Sequence, residues 1–155
     1  VENPIERLSA AAREHRLTVA VAESLTSGLL ASEVGKGESS SEWFSGGVVA
    51  YRMPVKTQVL GVPEGTDPTS AECAIALATG VRSLLDSDLA VATTGVGGPD
   101  PEDGHDAGTV YLGWATADDA GAEHLQLEGG PEEVLQATVD NAMRLLVRLA
   151  EGAAS

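Results

Sequence analysis

The sequence predicts an α/β fold: a single layered domain spanning residues 1–155, with a mixed β-sheet flanked by helices. Three observations lead there. Short β-rich apolar runs alternate with segments of helical spacing, the run Leu17–Ala22 passes directly into a hydroxyl-rich turn and a helix, and the chain closes on two short strands and a long amphipathic helix. Strands alternating with helices favour parallel pairs, while a terminal hairpin adds an antiparallel one, so the sheet is mixed. In such sheets ligands collect beyond the carboxyl ends of the strands.

Taken in order, Asn3-Pro4 supplies a cap and a first-turn proline, and Ile5, Leu8 and Ala12 recur at helical spacing to about His15. Leu17–Ala22 is a strand apolar on both faces, and a second helix is expected from about Thr26 to Val34. The polar stretch 35–41 reads as loop. Trp43–Tyr51 reads as a strand whose paired glycines, Gly46 and Gly47, mark a bulge or a close backbone approach. Pro54 starts a short helix that Gly61 and Pro63 end. Thr69, with Glu72 three residues on, has capping-box spacing for a long helix to Asp86, with Cys73 in its first turns. Leu89–Thr94 is a buried strand, and the glycine-rich turn Gly95–Pro99 and an acidic loop to Gly108 follow. Thr109–Thr116 and Glu123–Leu127 pair antiparallel, and Pro131 opens the last helix, with Val134, Leu135, Val139, Ala142, Leu145, Leu146 and Leu149 on its apolar face.

Composition narrows the function. A chain of 155 residues buries roughly two-thirds of its unfolded surface, and 43% hydrophobic with 21% charged residues is an ordinary globular balance. Only 3% of residues are aromatic, so Val, Leu and Ala build the core. Nine basic residues against 24 acidic ones give a formal charge of −15, a surface that repels nucleic-acid backbones and anionic membranes. No Lys or Arg lies between Arg82 and Arg144, so an anion bound there needs backbone N–H groups or a side chain from elsewhere. One cysteine, Cys73, excludes an intramolecular disulfide and fits a reducing compartment. With no leader and no bilayer-spanning run, the chain is expected to be cytoplasmic.

Three constellations carry candidate chemistry. Glu23-Ser24-Leu25-Thr26-Ser27-Gly28 places three hydroxyls where free helix N–H groups emerge; it suits an anion, a developing oxyanion or a serine nucleophile, and equally suits plain N-capping. It is not G-x-S-x-G. Tyr51 and Lys56 follow the serines at 39–41, and a lysine kept neutral by burial can deprotonate a serine, although a solvated lysine on a short helix has the same sequence. Thr94-Gly95-Val96-Gly97-Gly98-Pro99 can wrap backbone N–H groups around an oxygen, or be a tight loop; it has neither the Walker lysine nor Rossmann spacing. Asp100, Glu102, Asp103, His105 and Asp106 lack EF-hand or zincin spacing and read as a solvated loop, so no metal is expected.

In order, Ala22-Glu23-Ser24-x-Thr26-x-Gly28, Ser40-Ser41-x-Trp43-Phe44-x-x-Gly47-x-x-x-Tyr51-x-x-x-x-Lys56, Leu60-Gly61-Val62, Thr94-Gly95-x-x-Gly98-Pro99 and Gly108-Thr109-Val110 resemble the CinA C-terminal domain family over nearly the whole chain. That family includes nicotinamide-mononucleotide deamidases, which hydrolyse the nicotinamide carboxamide to the acid and release ammonia without a cofactor. The resemblance therefore implies an amidohydrolase of pyridine-nucleotide salvage, a small-molecule nucleotide substrate and a homo-oligomer. It also implies a serine-lysine site of Ser24, Ser41, Tyr51 and Lys56, with Lys56 activating Ser41 in first place and Ser24 in second, and Tyr51 relaying the proton. Glu23, Thr26, Gly28, Gly47, Thr94, Gly95, Gly97 and Gly98 are the residues it implies for holding substrate.

The chain departs from that pattern in three places. Leu25 and Ser27 stand where the family has Cys and Gly, and Arg52-Met53-Pro54-Val55 replaces a segment of the type Ser-Asn-Glu-Ala. The start of the last helix reads Gly130-Pro131-Glu132-Glu133-Val134-Leu135, without the arginine that active members commonly carry there, so a ligand phosphate meets two carboxylates. Two other functions stay open on these grounds: a binding or accessory protein with reduced turnover, and an amidohydrolase for a related non-phosphorylated substrate.

Overall fold

The computed structural model describes residues 3–153. Its five strands are β1 (Val19–Glu23), β2 (Phe44–Val49), β3 (Leu89–Gly95), β4 (Thr109–Ala115) and β5 (Ala120–Gln126), in the spatial order β2-β1-β3-β4-β5. β1 pairs parallel with β2 and β3, whereas β4 runs antiparallel to β3 and β5 antiparallel to β4. The mixed sheet expected from the sequence is present, and the carboxyl ends of its three parallel strands lie together.

Among the described residues six helices cover the sheet: α1 (Pro4–Glu14), α2 (Leu29–Gly35), α3 (Ser40–Trp43), α4 (Met53–Leu60), α5 (Ala71–Leu84) and α6 (Pro131–Gly152). The two central strands sort their side chains by size. Val19, Val21, Leu89 and Val91 face one apolar core, shared with Leu8 of α1, Leu30 of α2 and Leu146 of α6. Ala20, Ala22, Ala90 and Ala92 face the other, shared with Leu60 of α4 and Leu77 and Val81 of α5. An alanine-lined face lets a helix approach closely, and α5 does so. A Cβ placed on Gly113 of β4 would stand 1.9 Å from the Ala74 carbonyl oxygen, and one on Gly80 of α5 would stand 2.0 Å from that of Leu60. Here backbone packs on backbone.

Local starts and stops follow side-chain chemistry. The Asn3 side chain accepts from Glu6 N–H at 3.1 Å, as its position before Pro4 predicts. Gly61 ends α4 at φ 73°. Three expectations change. The helix expected from Thr26 begins at Leu29, because Ser24–Gly28 forms an irregular turn first. Ser70, not Thr69, caps α5: its hydroxyl accepts from Cys73 N–H at 3.1 Å. The end of the stretch read as loop, together with Trp43 from the start of the expected strand, forms the single turn α3, which buries Trp43 with its indole N–H donated to the Glu38 carbonyl at 3.0 Å.

Candidate active site

A cleft of about 480 Å³ opens at the carboxyl ends of β1, β2 and β3. Its floor comes from the two turns singled out by sequence. Ser24 and Leu25 follow β1, and Thr94, Gly95, Gly97 and Gly98 leave β3. Ladder bonds continue past the strand ends and hold these turns in place: Ser24 N–H donates to Thr93 O at 3.0 Å and Ala50 N–H to Glu23 O at 2.8 Å. Tyr51, Met53 and Lys56 form one wall, Pro68 and Thr69 another, and Pro131 and Leu135 of α6 a third.

Lys56 is the unusual group. It is 3% exposed on a helix that begins as the chain leaves β2, and its Nζ donates to the Tyr51 carbonyl at 3.2 Å. Burial lowers its pKa, against the opposing pull of the nearby Cys73 and Asp103. The same burial raises the pKa of Cys73, which Lys56 and a hydrogen bond with Thr94 partly offset. Cys73 is fully buried behind the cleft and does not line it.

The hydroxyls divide into committed and open ones. Thr26 Oγ1 shares a buried 2.8 Å bond with Thr93 Oγ1, and the Thr94 hydroxyl donates to the Pro68 carbonyl. The Ser24 side chain lines the cleft without a hydrogen bond to another described residue. Tyr51 stands 63% exposed on the rim, so its link to Lys56 runs through its carbonyl and not its phenol.

Several residues expected in the site hold it from outside. Glu23 is 2% exposed and turned away from the cleft: its carboxylate accepts from Leu30 N–H at 2.7 Å and Ala31 N–H at 3.0 Å, capping α2. Thr26 is wholly buried beneath the turn. Gly28 takes φ 110° just before α2, a conformation only glycine adopts cheaply. Ser27 beside it takes φ 44°, so the residue standing where the family has glycine keeps left-handed backbone at some strain. Gly47 sits in β2 against Val21 and Ala31, away from the cleft.

Ser41 is separated from the others. It is exposed on α3, which precedes β2, whereas Tyr51 and Lys56 follow β2; the six-residue strand, about 20 Å long, carries the chain from one end of the sheet to the other. Within one chain, Ser41 cannot give its proton to Lys56, and Ser24 is the serine that lines the same cleft as the lysine.

The structure also adds residues that sequence reasoning left out. The acidic loop after Pro99 folds back so that Glu102 and Asp103 line the cleft. It is pinned by His105 Nε2 against Asp67 Oδ2 at 2.7 Å, two residues 38 apart in sequence. Among the described residues, no group of three or more His, Cys, Asp or Glu side chains is arranged to hold a metal. Met53, Leu25 and Leu135 supply apolar surface.

The chain has counterparts among known proteins. The family profile of the CinA C-terminal domain matches residues 2–150. The chain belongs to the CinA family. A protein of Bacillus pumilus named as competence-damage inducible is 37% identical over 149 residues, 94% of this chain and 36% of its own length. A CinA-like protein of Frankia casuarinae is 38% identical over 139 residues, 87% of this chain and 32% of its own length. The CinA domain thus spans about a third of the length of these relatives. A CinA superfamily crystal structure from Escherichia coli superposes with a TM-score of 0.86 at 31% identity, covering 94% of this chain and 90% of that one. Another, from Klebsiella pneumoniae, reaches 0.91 at 27% identity, with 96% of each chain covered. Among the described residues no helix is long and apolar enough to cross a membrane.

Proposed function

We propose that this CinA-family domain is an amidohydrolase that converts the carboxamide of a nicotinamide-bearing nucleotide or nucleoside to the carboxylate and releases ammonia. Nicotinamide mononucleotide is the substrate that family likeness suggests. The observation that carries the reading is Lys56, buried in the wall of the cleft with its pKa lowered, in the same cleft as the open hydroxyl of Ser24.

In this reading neutral Lys56 takes the Ser24 proton as the hydroxyl oxygen bonds to the carboxamide carbon. The backbone N–H groups of Gly97 and Gly98 hold the oxyanion. The C–N bond then breaks, Lys56 returns the proton to the departing ammonia, and water hydrolyses the ester to release the acid and restore Ser24. Thr94 and Thr69 complete the polar lining, and the Tyr51 ring flanks the ligand at the rim.

The test is Lys56→Met in an ammonia-release assay on nicotinamide mononucleotide and its riboside. Loss of a general base lowers kcat by about 10²-fold or more, with the folded state monitored by circular dichroism. Full activity in that variant would overturn the mechanism. A second reading, an accessory ligand-binding domain without turnover, is favoured by the carboxylates of Glu102 and Asp103 in the cleft; it predicts ligand binding without ammonia from either compound.

A further inference from the structure

The charge of the cleft does not match a phosphate. Lys56 is the basic side chain among its lining residues, set in the wall and held against a carbonyl, while Glu102 and Asp103 bring two carboxylates to the same space. Asp103 lies close enough to Lys56 for their charges to interact.

The helix end beside the cleft adds negative charge of its own. The 22-residue helix α6 presents its N-terminus at the cleft, where Pro131 and Leu135 line the wall. Pro131 has no N–H to offer. The Gly130 N–H donates to Glu133 Oε1 at 3.1 Å, so the helix end already holds a carboxylate of its own. Glu132 adds a second negative charge in the same turn. A dianion brought to this end of the cleft meets like charges.

The same features suit a cation. A pyridinium ring carries one positive charge, and in the nucleoside nothing cancels it. Tyr51 offers an aromatic face, 63% exposed at the rim, and aromatic faces attract cations. The Asp67–His105 pair holds the loop that bears Asp103 in position.

We infer that the cleft selects the unphosphorylated, cationic pyridinium nucleoside over its 5′-phosphate, with Asp103 and Tyr51 recognising the charged ring and Glu132 and Glu133 turning the phosphate away. This rests on the amidohydrolase reading and names its substrate class. Selection acts through binding, so it resides in KM more than in kcat.

The experiment measures ammonia release from nicotinamide riboside and nicotinamide mononucleotide side by side, with calorimetric titration of both. The parent protein is expected to favour the riboside by about tenfold or more in kcat/KM. Asp103→Asn raises KM for the riboside with kcat little changed, and Glu132→Gln with Glu133→Gln lowers KM for the mononucleotide. Equal or better use of the mononucleotide by the parent overturns the inference and leaves the hydrolase reading standing. If neither compound yields ammonia, the hydrolase reading falls, and calorimetry still decides selectivity: tighter riboside binding sustains it, and equal or tighter mononucleotide binding overturns it.

Discussion

Replacing Glu23 distinguishes a residue that touches substrate from one that builds the turn beneath it. Its carboxylate is 2% exposed and accepts two backbone N–H bonds, from Leu30 at 2.7 Å and Ala31 at 3.0 Å. Bonds to a charged group contribute about 1.5–3 kcal/mol each, so two set a ceiling of roughly 6 kcal/mol. Water entering the vacated space recovers part of that, and Glu23→Ala is expected to cost about 3 kcal/mol. Glu23→Gln keeps one acceptor and loses the charge, for about 1–2 kcal/mol. At roughly 2–4 °C per kcal/mol for a domain of this size, the alanine variant melts about 6–12 °C lower. Urea unfolding followed by circular dichroism reads the difference, and ammonia release read in parallel falls because the Ser24 turn loses its support. An alanine variant within about 0.5 kcal/mol of the parent but without activity would refute this reasoning and return Glu23 to the ligand.

Other expectations follow from the same structure. Burial lowers the Lys56 pKa, so the unfolded chain binds more protons there; stability from this group is complete above the ordinary lysine value and is lost as pH falls through the folded one. Lys56→Met flattens that dependence, measurable as urea midpoints between neutral and alkaline pH. For Asp67, burial raises the pKa but the His105 bond, the Thr69 N–H and the His105 charge outweigh it, leaving the pKa lowered. Its contribution is therefore complete above the usual aspartate range and is lost as pH falls below it; Asp67→Asn removes this acid limb and speeds hydrogen exchange at His105 N–H, which bonds to Glu102 O. Gly113→Ala forces a Cβ to 1.9 Å from the Ala74 oxygen and costs about 1–3 kcal/mol or more, whereas Gly35→Ala in α2 meets nothing within 4 Å and changes stability by less than about 1 kcal/mol, in the stabilising direction. Equal effects from these two glycine variants would refute the close-packing account.

What the sequence revealed was local. Leu17 through Gly28 announced a strand, a hydroxyl-rich turn and a helix because each depends on neighbours a few residues away, and Asn3-Pro4 and Gly61 marked helix ends for the same reason. The roles hidden in it were those set by distance along the fold. Ser41 and Lys56 are near in sequence, yet β2 lies between them and parts them by its whole length. Glu102 and Asp103 looked like a solvated loop, and enter the cleft because His105 meets Asp67, a pairing no local pattern announces. Glu23, beside Ser24 in sequence, points to the opposite use because adjacent residues leave a strand on opposite faces. Thr69 had the capping-box spacing on paper, and one step of backbone gave the cap to Ser70.

The glycine contacts of α5 set the terms on which this cleft can change. Because Gly113 meets the Ala74 carbonyl and Gly80 meets that of Leu60, the spacing of helix, sheet and α4 is fixed at these two points by main chain. The back wall cannot be moved by shifting α5 without breaking those contacts. Leu25, Met53, Glu102, Asp103 and Leu135 sit on turns, a loop and helix ends around the mouth, where exchange of a side chain leaves that spacing intact. Efforts to alter which ligand is accepted should therefore work inward from the rim, and random variation that succeeds should concentrate there while α5 stays unchanged.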